Sequence, residues 1–259
     1  MPPLFDNKNP KAKSVFVASA LLREARRQKG LATVNVPPIC VLDPDGDIVR
    51  HLKSKGRARL ERDWPCYHSV LFTFELAGLD IGIVGCAVGA PFAVLVAEEL
   101  FASGCRFLVS ITSAGQIAPA GKPPYFVVID RALRDEGTSY HYAAASEYSD
   151  ADAQLISQVA LTLKSKGVNA VTGSSWTTDA PFRETEEAIS AARSKGILAV
   201  EMEAAALYAF ARAMRKKVLC IAHVTNTMAI AEQDFEKGEA DGTVDALHML
   251  EAIISSLSP

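Results

Sequence analysis

The chain has 259 residues, 49% hydrophobic and 22% charged, with a formal net charge of −3, the profile of a soluble globular protein with a large core. The negative balance and the lack of a basic run interleaved with aromatics exclude a nucleic-acid surface, and no apolar run is long enough to cross a membrane. Five scattered cysteines (Cys40, Cys66, Cys86, Cys105, Cys220) form no C-x-x-C pair, so reduced thiols are expected rather than disulfides or a metal site, and with no signal-like leader the expected location is cytoplasmic.

Residues 1–38 read as an N-terminal arm and helix. The first 13 are polar and proline-bearing; 14–29 show helical spacing (Val15, Ala18, Leu21, Leu22, Ala25) that Gly30 would close. A short apolar run, 39–42, ends in Asp43-Pro44-Asp45-Gly46-Asp47, a turn-rich stretch. The basic cluster Lys53, Lys55, Arg57, Arg59 and Arg62 reads as a solvated helix or loop. Residues 70–76 and 79–85 read as paired strands around Ala77-Gly78. Then follow a helix (91–103), two strands (107–111 and 125–131), a helix (151–166), a strand (168–172) and a helix (184–195). Apolar Ile197 to Val200 leads into an alanine-rich helix from Ala204 to Met214; a strand (218–225) and a terminal helix (244–257) complete the chain. This alternation predicts an α/β fold: one domain, 39–259, with a mixed twisted sheet flanked by helices on both faces.

The chemistry concentrates at the joints. Glu201-Met202-Glu203 stands where a buried strand turns into a helix, and ligands of open α/β sheets gather at strand carboxyl ends. The helix dipole would hold Glu203 ionised, and a carboxylate accepting two hydrogen bonds suits a vicinal diol; capping of the helix is the competing role. Gly85-Cys86-Ala87-Val88-Gly89, between strand and helix, would let backbone N–H groups approach an anion, or would simply be a tight turn. Ser110 to Gln116 puts hydroxyls at a strand end, where they would meet a phosphate or sugar or serve as turn residues. Arg134 to Tyr142 contains His141, read as part of a structural network rather than as an acid or base. In the segment 176–183, Trp176 and Phe182 bracket Asp179 and Arg183 and would clamp a flat heterocycle, or be core aromatics beside a loop. Asn226 ends an apolar strand and offers a donor and an acceptor to the edge of a base.

In this order, over about residues 39–257, the pieces resemble the nucleoside phosphorylase/nucleosidase superfamily. The strongest motif is Val200-Glu201-Met202-Glu203-Ala204, similar to the family's ribose-binding V-E-M-E-A signature; the glycine loop and Ser113-Ala114-Gly115-Gln116-Ile117 are similar to two further segments. The resemblance implies a phosphorylase/hydrolase-like fold and cleavage of a nucleoside by phosphate to give base and ribose 1-phosphate, with no cofactor beyond that co-substrate. It implies ribose binding by Glu201, Met202 and Glu203 and base binding by Trp176, Thr177, Asp179, Phe182 and Asn226. Phosphate binding falls to Gly85, Ala87, Ser110 and Ser113, and catalytic roles to Glu203, Asn226 and Arg183. It further implies a homo-oligomer, dimer or hexamer. The chain departs from the family where phosphate-binding arginines are expected: Gly46 and Ser110 stand at two of those positions, and the third falls near Tyr67-His68. Loss of such charge-assisted bonds to a dianion is expensive. Hydrolysis by water, or nucleoside binding without turnover, are therefore the alternatives.

Overall fold

A computed structural model describes residues 3–228 and 235–257. In chain order its elements are α1 (Ala18–Lys29), β1 (Ile39–Asp43), α2 (Asp47–Ser54), β2 (Arg59–Leu60), β3 (Leu71–Leu76), β4 (Leu79–Gly85), α3 (Ala90–Ala102), β5 (Phe107–Gln116) and β6 (Tyr125–Asp135). They continue with α4 (Ser139–Tyr142), β7 (Tyr148–Asp150), α5 (Ala153–Ser165), β8 (Ala170–Thr178), α6 (Glu186–Ser194), β9 (Ala199–Glu201), α7 (Ala204–Met214), β10 (Lys217–Asn226) and α8 (Thr243–Leu257).

The expected hairpin forms: β3 and β4 pair antiparallel, and Ala77 and Gly78 at its tip both have positive φ, 52° and 74°, as a twist-matched two-residue turn requires. Helix α1 starts at Ala18, not at 14, and leaves Val15, Phe16 and Val17 exposed; it ends as expected at Gly30, φ 65°. Part of the basic cluster lies on α2 and β2. Three strands run well past their expected ends, to Gln116, Asp135 and Thr178. The hydroxyl-rich tails of β5 and β8 suggest turns, yet all three strands continue to pair: β6 with β8 through Asp135↔Thr178, and β5 with β10 through Gly115↔Asn226. Buried backbone groups need partners, and here the partners are neighbouring strands.

The sheet is mixed, as expected. Strands β10, β6, β8, β9 and β5 pair in a closed ring, and β1, β4, β3 and β2 extend from β5 as an open arm. The first half of β5 pairs with β1, up to Leu42↔Ser110, and its end pairs with β9, at Gly115↔Val200. Helices cover both faces. One core contains Val94 and Leu100 of α3 with Leu207 and Phe210 of α7. The other contains Ile48 and Leu52 of α2, Val159 of α5 and Met249 and Ile253 of α8. Each such side chain contributes about 1.5–3 kcal/mol on burial. The ends of β1, β9 and β10 thereby meet around Thr112 to Gln116.

Candidate functional site

Glu201, the last residue of β9, is buried, and its carboxylate is saturated by the protein's own donors. One oxygen accepts from the Ser175 hydroxyl (2.9 Å) and the Thr177 hydroxyl (2.5 Å), the other from the backbone N–H of Glu203 and Ala204 (2.7 Å each). Thr177 Oγ1 in turn accepts from Ala205 N–H at 2.9 Å. These bonds satisfy the N–H groups that a helix start leaves free. Glu201, expected at the ribose, and Thr177, expected at the base, are both engaged in capping α7.

Glu203 occupies the N-cap position of α7 but makes no side-chain cap bond. It turns instead to the glycine loop, where Oε1 accepts the N–H of Gly89, the N-cap of α3, at 2.7 Å. Its Oε2 is buried and has no hydrogen-bond partner among the described residues. Burial first, and the Glu201 charge second, push the Glu203 pKa up to about 8; the Gly89 bond and the Thr112 hydroxyl act the other way and are outweighed. The expectation that the helix dipole holds Glu203 ionised is corrected: the N–H groups that would do so serve Glu201. Met202 is half-buried between the two acids.

A second cluster follows β1. Asp45 accepts from Ser113 twice, through the backbone N–H (2.7 Å) and the hydroxyl (2.8 Å). Lys237 Nζ lies 4.0 Å from Asp45 and bonds Asp47 at 2.6 Å. Asp43 accepts Val49 N–H at 2.9 Å, and burial raises its pKa to about 7. His223, stacked on Phe126, is pushed down to about 4 by burial. Asp43, Asp45, Asp47, Ser113, His223 and Lys237 border a cavity of about 20 Å³. Gly46 has φ 74°, and a Cβ there would stand 2.7 Å from Cys86 Sγ and 2.9 Å from Arg50 Nη1. A side chain at 46 would adopt a strained φ and displace the Arg50 guanidinium, one turn into α2, from that space.

The remaining expected site residues are dispersed. Ser110 and Ser113 lie on opposite faces of β5, because strand side chains alternate. Leu108 and Ala114 mark the α3/α7 face, and Val109 and Ile111 the other. The Ser110 hydroxyl is buried with no partner among the described residues, and it points away from Ser113. Ala87 is buried, and Gly85 is the last residue of β4; the loop donor turned to a carboxylate is Gly89. Trp176 packs with Ile117, Ile197 and Val200 and donates to Asp135 at 3.0 Å, whereas Phe182, on a short 3-10 turn, is 98% exposed. The expected aromatic clamp is not assembled: strand alternation turns the indole into the core. Asp179 accepts Gly137 N–H at 2.9 Å, and Arg183 is exposed. Asn226 is buried at the end of β10; its Oδ1 accepts Met228 N–H at 2.8 Å and its amide nitrogen donates to Thr225 at 3.2 Å. Gly115 lies beside Asn226, Val200 and Met228, where a Cβ would collide with the Met228 sulfur. Arg134 binds Ser139, Ala144 and Ser146, and His141 is exposed beside this network. Sequence reasoning missed Asp45, Thr112 and Lys237; the signal for the first was three acids within Asp43 to Asp47. Among the described residues no cluster of His, Cys, Asp and Glu is arranged to hold a metal ion, and no helix is long and apolar enough to cross a membrane. A surface cavity of about 650 Å³ is bordered by Asn35, Ile39 and Arg59, at the start of β1 and away from these strand ends.

Where three strand ends of this α/β fold converge, a buried carboxylate, Glu203, is bonded to the glycine loop. The chain belongs to the Phosphorylase superfamily, whose family model it matches over residues 38–255. It is 27% identical, over 62% of its own length and 70% of the relative's, to a DeoD-type purine nucleoside phosphorylase of Shewanella denitrificans. Its fold is similar to that of uridine phosphorylase from Vibrio fischeri (TM-score 0.71, 22% identity, 85% of this chain and 93% of that one). It is also similar to that of purine nucleoside phosphorylase from Toxoplasma gondii in complex with immucillin-H (TM-score 0.72, 16% identity, 86% and 90%).

Proposed function

We propose that this chain cleaves the N-glycosidic bond of a nucleoside, with water as the acceptor. The observation that carries the first part is Glu203: one oxygen fixed by Gly89, the other buried without a partner. An unsatisfied buried acceptor is costly, and a ribose hydroxyl is a donor of the kind it lacks. Glu203 is 1% exposed, so a sugar reaches it when the side chains over it move. In this reading Met202 packs on the ribose, and Asn226 and the 176–183 segment address the base. The C1′–N bond breaks as positive charge develops on the sugar, and Glu203 in its ionised form stabilises that charge. The oxygen of water then bonds to C1′, its proton passes to the departing base or to solvent, and the products are base and free ribose.

Water is favoured over phosphate because no arginine stands at 46 or 110 and the Ser113 donors already hold Asp45. Phosphorolysis to ribose 1-phosphate is the second reading. It is supported by the names of the relatives and by Arg50 and Lys237, which bring two cations to the same turn. Incubation with a panel of ribonucleosides in phosphate-free buffer, with chromatography of base and sugar, is the test. Base and free ribose at a rate insensitive to added phosphate support hydrolysis. Cleavage seen only with phosphate selects the second reading, and intact nucleosides in both buffers remove both. We also read the active form as a homo-oligomer, which light scattering would check.

A further inference from the structure

We propose that Asp45 is the specificity-determining residue for the acceptor: a tethered anion that occupies the Ser113 donor pair and keeps free phosphate out. Two donors from one residue, an N–H and an O–H, converge on a single carboxylate at 2.7 and 2.8 Å. That is how a protein binds an oxyanion, and here the oxyanion belongs to the chain itself. The surroundings fit the same role. Lys237 Nζ stands 4.0 Å from Asp45 on the side of Asp47. His223 Nε2 and the Thr243 hydroxyl, on residues bordering the same cavity, are buried with no hydrogen-bond partner among the described residues. These groups make a site with donors for more than one carboxylate.

With Asp45 in place the cavity is about 20 Å³, a volume that holds one water molecule and not a tetrahedral dianion. A phosphate entering would have to break both Ser113 bonds and would meet Asp43, Asp45 and Asp47 together. Like charges at such spacing oppose binding, and Lys237 with Arg50 supplies two positive charges against them. Without Asp45 the balance changes: Ser113 regains two free donors, and the acidic residues fall to two. Asp45 follows a proline and precedes Gly46, whose φ of 74° is a conformation L side chains rarely adopt. The turn is thus held in the shape that aims Asp45 at Ser113.

The inference rests on the nucleoside-site reading for its meaning but is tested without turnover. Binding of inorganic phosphate to the full chain is measured by calorimetry and by 31P line broadening for the wild type, Asp45→Ala, Asp45→Asn and the double variant Asp45→Ala with Lys237→Gln. The expected result is at least tenfold tighter phosphate binding in Asp45→Ala than in the wild type, with the gain lost in the double variant. Asp45→Asn, which keeps an acceptor for Ser113 and removes the charge, gains less than Asp45→Ala and serves as the reading if Asp45→Ala does not fold. Equal phosphate affinity in the wild type and the folded variant overturns the proposal, as does a failure of every variant to bind phosphate. Loss of the nucleoside reading would appear separately, as intact nucleosides in the cleavage assay whatever phosphate binding shows.

Discussion

Gly89 donates its backbone N–H to Glu203 at 2.7 Å across 114 residues of sequence, so the glycine loop and the start of α7 are held as one unit. The bond fixes the carboxylate's orientation and leaves Oε2 without a partner. A hydrogen bond to a charged group is worth about 1.5–3 kcal/mol. Glu203→Ala should therefore lower kcat/KM for base release by roughly 10- to 100-fold, read in the nucleoside cleavage assay. Full activity in a folded Glu203→Ala chain would place the sugar elsewhere.

Glu203 also predicts a pH dependence. Its pKa is 4.5 when unperturbed and about 8 in the fold, so the folded state holds a proton that the unfolded chain has released. Stability then falls as pH rises from 4.5 to about 8 and levels above it. Asp43, raised from 3.8 to about 7, acts in the same direction. Glu203→Gln should remove its own share of the slope, so melting temperatures of variant and wild type should diverge in favour of the variant between those limits. If the ionised form accepts the diol, kcat/KM should climb with pH toward about 8 in the wild type and lose that limb in Glu203→Gln.

Glu201 serves the fold rather than a ligand. It carries four hydrogen bonds, two from hydroxyls and two from the α7 backbone, and its loss leaves several buried donors unmet at about 1–3 kcal/mol each. Glu201→Ala is expected to cost about 3 kcal/mol or more by denaturant unfolding. A cost below about 1 kcal/mol would show that water replaces it.

Phe182 is 98% exposed, so Phe182→Ala should change stability by less than about 0.5 kcal/mol. If the ring closes over a bound base, KM for the nucleoside should rise while kcat changes little. An unchanged KM would mark it as a bystander.

Much of the architecture was legible in the sequence, because strand and helix periodicities differ and Gly30 marks the stop of α1. The tails of β5, β6 and β8 were not, since hydroxyls in β5 and β8 and charges in β6 read as loop residues and only long-range pairing makes them strands. At the site, the pairing of two acids with a strand-to-helix joint was visible, but not which acid served the helix. That division depends on Ser175 and Thr177, on a strand 24 to 26 residues away from Glu201. Asp45 was visible as one of three clustered acids, while its partner Ser113 lies 68 residues further on. The Trp176 and Phe182 pair misled because spacing along a chain says nothing of which side of a strand a ring takes.

The closed ring of five strands has a consequence for how copies of this chain meet. A stretch paired on both sides offers no free backbone row to another molecule, and Ile221 to Val224 of β10 and Ser175 to Thr177 of β8 are withdrawn from intermolecular pairing in this way. The arm that leaves the ring ends at β2, two residues long, where Arg59 is paired with Asp80. A charged edge of that length is a poor template for strand addition by another molecule.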